Sequence, residues 1–256
     1  MKTLRTILAV REALEPVRDS TIALVPTMGA FHGGHLSLFR AARADADCVV
    51  ASLFVNPAQF GDGADLNGYP RDEARDLRLA AEAGVDVLFA PSTDEMYPRG
   101  YETWVEVENV GARLEGEHRP GHFRGVATIC LKLFNIVRPQ LVYFGQKDAQ
   151  QVAVLRRMIR DFHLELELRV VPTVRDADGV ALSSRNVRLS PEERERARAL
   201  FRALSTKDEA RARELLSGLD VDYVEVADFD PEVLAAAVRI GDTRLIDNVI
   251  LEGDTE

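Results

Sequence analysis

The feature that most constrains the fold of this chain is a regular alternation of short apolar runs with amphipathic stretches. The apolar runs 21–27, 48–55 and 85–90 are rich in β-branched residues, whereas 35–46 and 71–84 between them have helical periodicity. Nearly continuous apolar strands separated by helices are typical of a parallel sheet that is covered on both faces. The sequence therefore predicts a doubly wound α/β fold.

This pattern continues to about residue 174 and then changes. We predict in turn a region of short strands and loops over 91–121, a helix over 126–138, a strand over 141–145, a helix that begins near Ala149 and a strand over 164–174.

The remainder of the chain predicts a smaller α+β domain. Ser190, Pro191 and Glu193 form a capping-box signature at the start of a helix that ends near residue 204. A second helix over 207–219 and strands over 221–229 and 243–252 follow. We expect a first domain over 1–174 and a second over 175–256.

Charge and cysteine content narrow the class of protein. The 42 acidic and 32 basic residues give a net charge of −10, which argues against nucleic acid and anionic membranes as partners. Cys48 and Cys130 lie in apolar stretches, so we interpret both as buried reduced thiols rather than a disulfide or metal pair. The first apolar run is broken at Arg11, too early for a signal peptide or membrane span, so we expect a cytoplasmic protein.

The segment PTMGAFHGGH (26–35) is the most informative one for function. It follows a buried strand with glycine-rich backbone and opens a helix, whose free N–H groups favour a phosphate. His32 and His35 add two donors on the same turn. Simple capping of the turn by the histidines and a zinc site are the alternatives, but ligands of doubly wound sheets bind where the first strand ends.

Other polar segments also follow predicted strands. In FVNPAQF (54–60), Gln59 is suited to a small polar substrate, and a merely solvated glutamine is the alternative. In YFGQKDAQQ (143–151), Lys147 is a phosphate-binding cation and Asp148 an acceptor for ribose hydroxyls, against a solvated Lys–Asp turn.

Two loops carry basic side chains. The loop 114–128 groups His118, Arg119, His122 and Arg124 among glycines and is a candidate for carboxylate or phosphate binding, or a solvated loop. The segment RDADGVALSSRN (175–186) joins the two domains and contributes Ser183, Ser184 and Arg185, which suit triphosphate oxygens. Its position at a hinge suggests a lid.

Taken together, these motifs resemble the pantoate–β-alanine ligase family of the cytidylyltransferase-like superfamily. PTMGAFHGGH resembles the HxGH nucleotide signature of that superfamily. Further family blocks occur in family order between residues 20 and 250, namely FVNPAQF, YPR (69–71), FAPS (89–92), RPGHFRGV (119–126), FGQKD (144–148), LSSRN (182–186) and RLIDN (244–248). Phe31 departs from the usual leucine, a change that we expect to be tolerated.

The resemblance implies a Rossmann-like first domain, a small α+β lid and a homodimer. It also implies that pantoate and MgATP form pantoyl adenylate, from which β-alanine displaces AMP. By the same resemblance, the residues that would bind ATP are Met28, Gly29, Ala30, Phe31, His32, Gly33, Gly34, His35, Gly145, Gln146, Lys147, Asp148, Val174, Leu182, Ser183, Ser184 and Arg185. His32, His35, Lys147 and Arg185 would be catalytic. Gln59 and Gln151 would bind pantoate, Gln59 also lying near β-alanine.

Two other functions compete with this interpretation. A nucleotidyltransferase of the same superfamily shares HxGH but needs more cationic groups for a phosphate-ester acceptor than the glutamines provide. A non-catalytic ATP-binding regulator does not need both histidines, Lys147 and Arg185.

Overall fold

The structure is a computed structural model that describes residues 1–61 and 63–251. The chain forms two compact units. The first contains Met1–Phe144 and Val154–Val171, and the second contains Gly145–Ala153 and the chain from Pro172 onward. The second unit thus includes a segment that lies inside the first of the two domains expected from the sequence.

A parallel sheet forms the centre of the first unit. Its strands are β1 (Lys2–Leu4), β2 (Ile22–Val25), β3 (Cys48–Ser52), β4 (Val87–Phe89), β5 (Leu141–Gly145) and β6 (Glu167–Val171), in the order β1-β4-β3-β2-β5-β6. The strand pairs β1–β4, β4–β3, β3–β2 and β2–β5 are parallel. The helices are α1 (Ile7–Leu14), α2 (Gly33–Asp45), α3 (Gly63–Asn67), α4 (Glu73–Glu82), α5 (Thr93–Met96), α6 (Glu108–Ala112), α7 (Glu115–His118), α8 (His122–Val137) and α9 (Ala149–Asp161).

The strand order confirms the predicted doubly wound α/β fold. From β2 the chain extends the sheet through β3 and β4 on one side, and later through β5 and β6 on the other. Every residue of β2 and β3 is buried, which explains their continuous apolar sequences. Ligands of such sheets bind beyond the carboxyl ends of the strands where the order reverses, which here is beside β2.

The second unit is a small α+β domain, as predicted. Its antiparallel sheet contains β7 (Asp220–Asp228), β8 (Glu232–Ile240) and β9 (Thr243–Ile250), with β8 in the centre, and its helices are α10 (Pro191–Leu204) and α11 (Glu209–Leu216). The capping box of α10 is confirmed, because Ser190 Oγ accepts from Glu193 N at 3.2 Å and Glu193 Oε2 accepts from Ser190 N at 2.9 Å. Leu200, Leu204, Val224, Leu234 and Leu245 are among its core residues.

Several predicted elements differ from those observed. The short strands expected over 91–121 are wrong: the segment contains α5, α6 and α7. Val105 N there donates to the side chain of Thr128 instead of to a strand. Strands β1 and β8 and helix α1 were missed; the alanines 235–237 of β8 have low strand propensity but are buried in the middle of the sheet. Glu252, at the end of the predicted last strand, lies outside the described residues.

The sequence also predicted buried, reduced cysteines and no membrane-spanning segment. Cys48 and Cys130 are buried and unbridged, as expected, and burial raises the pKa of the Cys130 thiol to about 12. In the part of the chain that the structure describes, no helix is both long enough and apolar enough to cross a membrane.

Candidate active site

The turn between β2 and α2 has a backbone shape that depends on glycine. Gly29 has φ +87° and Ala30 has φ +53°, so two successive residues adopt the left-handed region. A Cβ atom on Gly29 would lie 2.6 Å from Leu53 Cδ1 and 2.9 Å from Asp76 Oδ2. Only glycine satisfies both the positive φ and the lack of space.

A buried carboxylate in the first turn of α4 holds this turn. Asp76 is 1% exposed, and its Oδ2 and Oδ1 accept from the backbone N–H groups of Ala30 and Phe31 at 2.8 and 2.7 Å. The neighbouring Arg75 donates from Nη1 to Phe31 O at 2.9 Å. Burial raises the pKa of Asp76, while the two backbone hydrogen bonds act in the opposite direction. Both backbone groups of Phe31 are therefore bound by α4.

His32 and His35 cap the N-terminus of α2. His32 is the N-cap, and its Nδ1 accepts from Gly34 N at 3.1 Å, while His35 Nδ1 accepts from His32 N at 3.3 Å. The two ring centroids lie 4.2 Å apart. The side chain of Phe31 is fully buried, packing at 5.4 Å from the His35 ring and 5.1 Å from that of Phe39.

These caps determine which nitrogen of each histidine carries the proton. A backbone N–H can only donate, so both Nδ1 atoms are acceptors, and the proton of each neutral imidazole lies on Nε2. The capping role and the phosphate role that the sequence left as alternatives are thus compatible, because they use opposite sides of the ring. With the N–H groups and dipole of α2, the turn has the composition of an anion-binding site.

Gln59 belongs to the same unit and lies in a buried polar network. It ends the 3₁₀ helix Pro57–Gln59 after β3 and is 8% exposed. Its Oε1 accepts from Asn56 Nδ2 at 3.0 Å, and its Nε2 lies 3.1 Å from Met28 Sδ. Tyr97 donates its hydroxyl proton to Asn56 Oδ1 at 2.9 Å. The structure therefore brings Met28 and Gln59, both predicted site residues, into contact.

The basic loop contributes to this network through one histidine. His122 Nδ1 lies 2.9 Å from the backbone oxygen of Gln59, and its Nε2 lies 3.1 Å from Arg119 Nη1. Because the carbonyl only accepts and the guanidinium only donates, His122 is neutral with its proton on Nδ1. Arg124 instead lies over the Trp104 ring at 4.6 Å from its centroid. Arg119, His122 and Arg124 thus each contact another protein group.

In the second unit, the residues after β5 form a 3₁₀ helix, Gln146–Asp148. The ammonium of Lys147 lies 3.5 Å from Asp148 Oδ1, and both side chains are partly exposed. Gln146 Nε2 donates to Asn248 Oδ1 at 2.9 Å. Gln151 lies in the first turn of α9 and is half-buried.

The other predicted ATP residues of this unit follow Pro172. Leu182 N donates to Val174 O at 2.9 Å, which brings the two ends of the intervening turn together. Ser183 caps the 3₁₀ helix Ser184–Arg188, with its Oγ accepting from Arg185 N at 3.3 Å. Both 3₁₀ helices, Gln146–Asp148 and Ser184–Arg188, pack against β9.

The sequence did not identify several residues that organise these segments. Asp76 had no signal that distinguished it from the exposed acidic residues beside it in α4, and His122 was noted only as part of a basic loop. Asp247 and Asn248 lie in the RLIDN block, which predicted family membership but no role. Asp76, His122 and Asn248 bond to backbone groups distant in sequence, and Asp247 bonds to the distant side chain of Arg175, so local spacing does not reveal them.

Comparisons with known proteins agree with these features. The sequence profile of the family described as pantoate-beta-alanine ligase matches residues 2–250. The pantothenate synthetase of Heliobacterium modesticaldum is 51% identical, with 97% of this chain and 100% of that protein covered, and that of Moorella thermoacetica is 49% identical, with 98% and 99% covered.

Solved structures of pantothenate synthetases and pantoate-beta-alanine ligases also match this chain. Pantothenate synthetase from Thermus thermophilus superimposes with a TM-score of 0.94 at 44% identity, covering 99% of this chain and 100% of that one. Pantoate-beta-alanine ligase from Francisella tularensis, crystallised with beta-gamma ATP and beta-alanine, gives 0.90 at 34% identity, with 99% and 98% covered. The fold, the histidine-capped turn and the full-length matches together establish that this chain belongs to the pantoate–β-alanine ligase family.

Proposed function

We propose that this protein condenses pantoate with β-alanine to form pantothenate, using ATP and forming pantoyl adenylate on the way. The observation that carries the proposal is the turn before α2, where two histidines use Nδ1 for the helix cap and carry their protons on Nε2. Family membership across residues 2–250 supports the same reaction.

The first step brings two anions together, and the proposed hydrogen-bond donors offset the repulsion between them. The carboxylate of pantoate attacks the α-phosphorus of ATP, and pyrophosphate leaves. Preorganised donors offset the repulsion and stabilise the charge that develops on the phosphate oxygens. In the proposal His32, His35, Lys147 and Arg185 supply these donors. The amine of β-alanine then attacks the acyl carbon, AMP leaves and the nitrogen loses a proton.

The residues proposed to bind ATP are Met28–His35, Gly145–Asp148, Val174 and Leu182–Arg185. Within the described ranges, 1–61 and 63–251, no three His, Cys, Asp or Glu side chains form a group suited to a metal ion. This is compatible with Mg²⁺ that arrives on ATP, because Mg²⁺ keeps several waters and commonly binds through substrate phosphates and one or two carboxylates. Asp148 is the acidic side chain among the proposed ATP residues.

The acceptor site is proposed to involve Gln59 and Gln151. An amide bonds hydroxyl and carboxylate oxygens without forming a tight ion pair, so the pantoate carboxylate keeps its nucleophilicity. Gln59 is suited to this because Asn56 and Met28 fix both ends of its amide. A homodimer and a cytoplasmic location remain expectations from the family and the sequence.

The reaction predicts exchange of labelled pyrophosphate into ATP that requires pantoate and does not require β-alanine. An adenylate intermediate makes the first step reversible in the absence of the amine. The assay measures label in ATP with each acceptor in turn. Exchange that occurs with a phosphate ester but not with pantoate would establish the nucleotidyltransferase alternative.

The histidines are tested by a substitution that separates their two roles. In His35→Asn, the shorter side chain keeps an acceptor near the position of Nδ1 for His32 N but lacks the Nε2–H donor. We expect kcat to fall by about 10²- to 10³-fold, with a thermal midpoint close to wild type and a smaller change in ATP affinity. His35→Ala removes both functions and should lower kcat and stability together.

One result with these variants would contradict a catalytic role for His35. If His35→Asn retains wild-type kcat while only His35→Ala loses stability, His35 serves the helix cap alone.

The glutamines are tested through the separate KM values of the two substrates. Gln59→Ala or Gln151→Ala leaves pantoate groups unpaired, which costs about 1–3 kcal/mol, or roughly 5- to 150-fold in KM for pantoate. KM for ATP should change much less. Gln140→Ala, at a glutamine outside the proposed site, is the control: it removes the acceptor of Ile22 N, so it should lower stability but leave both KM values unchanged. A larger effect of Gln151→Ala on ATP than on pantoate would move Gln151 to the nucleotide site.

A further inference from the structure

The RLIDN motif (244–248) has no role in the proposed reaction, yet it places two polar side chains in the interior of the second unit. Asp247 and Asn248 are 3% and 4% exposed and lie near the end of β9. Buried polar groups are costly unless they are fully hydrogen-bonded. Their partners therefore indicate what these side chains do.

Asn248 bonds to the segment that carries Lys147. Its Nδ2 donates to the backbone oxygens of Gln146 and Lys147 at 2.9 and 3.0 Å, and its Oδ1 accepts from Gln146 Nε2 at 2.9 Å. Two of these three hydrogen bonds set the orientation of two successive peptide groups, and the third holds the Gln146 side chain. The direction in which the Lys147 side chain leaves the backbone depends on these peptide groups.

Asp247 bonds to the start of the 175–186 segment. Its two carboxylate oxygens accept from Nη1 and Nη2 of Arg175 at 2.5 and 3.0 Å, and Oδ1 also accepts from Asn248 N at 2.9 Å. Arg175 Nη1 donates further to Gly179 O at 3.2 Å. Burial raises the pKa of Asp247, and the guanidinium of Arg175 acts in the opposite direction. The paired Arg175 guanidinium thus anchors the turn that leads to Ser183.

We infer that Asp247 and Asn248 are positioning residues that hold both ATP-binding segments of the second unit in register on β9. Asn248 fixes Gln146 and Lys147, and Asp247 fixes the segment that leads to Arg185. The packing of both 3₁₀ helices against β9 supports this arrangement. The inference rests on the proposed function, because that proposal assigns ATP to these segments. Neither residue is required to touch the substrate.

The test compares Asn248→Ala with Leu245→Ala, a matched control in the same strand. Leu245 belongs to the core of the unit, so its truncation destabilises the domain without removing a bond to the Lys147 segment. Asn248→Ala should raise KM for ATP in pantoate-dependent exchange by about 5- to 150-fold, the range for buried groups left unpaired. KM for pantoate should change much less. Leu245→Ala should lower the thermal midpoint and leave KM for ATP within about twofold of wild type.

Two further variants and a binding measurement keep the test decisive. Asn248→Asp replaces the donor by an oxygen that faces two carbonyl oxygens, and it should raise KM for ATP at least as much as the alanine variant. If Asn248→Ala does not fold, Asn248→Ser takes its place, since a hydroxyl retains one donor. Calorimetric binding of ATP to each protein provides a readout that does not require catalysis, and the Asn248 variants should bind more weakly than Leu245→Ala.

The outcomes distinguish this inference from the proposed function. Wild-type protein that binds ATP but lacks pantoate-dependent exchange contradicts the proposed reaction, while weaker ATP binding by the Asn248 variants still supports the inference. If the Asn248 variants and Leu245→Ala bind ATP equally well, or lose affinity equally, the inference is overturned. Wild-type protein that binds no ATP overturns both.

Discussion

The bidentate contact of Asp76 with the turn before α2 is the interaction on which the site in the first unit depends. Gly29 and Ala30 both have positive φ, and at Ala30, which is not a glycine, this is a costly conformation that persists only when its surroundings enforce it. The carboxylate enforces it by accepting from Ala30 N and Phe31 N. This path of the backbone leads into α2 with His32 at the N-cap. The orientation of both histidine rings thus follows from one buried acidic residue in a different helix.

The second unit uses the same principle with different residues. Asn248 holds the peptide groups of Gln146 and Lys147, as Asp76 holds those of Ala30 and Phe31. In both units a short irregular segment carries the polar side chains, and a buried side chain distant in sequence fixes its backbone. In the proposed reaction, groups that stabilise transition-state charge are most effective when their positions are set beforehand, and this arrangement would set them.

The sequence predicted most of the first sheet because β2, β3 and β5 are continuous apolar runs whose burial follows from composition. It failed at β8, where alanines are poor local evidence for a strand and only pairing on both sides stabilises them. Histidines spaced three apart after a strand were enough to predict the turn. The roles of Asp76 and Asn248 were not predictable, because each depends on backbone groups tens of residues away or more.

The most direct test of this account is the kcat/KM of the Asp76→Asn variant in pantoate-dependent exchange of pyrophosphate into ATP. The amide has nearly the same shape, but its NH₂ group faces one of the two backbone N–H groups that the carboxylate accepts, so the turn loses a hydrogen bond and gains a repulsive contact. Glu73→Gln, an exposed change of equal charge in the same turn of α4, is the control. We predict that kcat/KM falls by about 5- to 150-fold in Asp76→Asn and stays unchanged in Glu73→Gln. Wild-type kcat/KM in a folded Asp76→Asn protein would contradict the account.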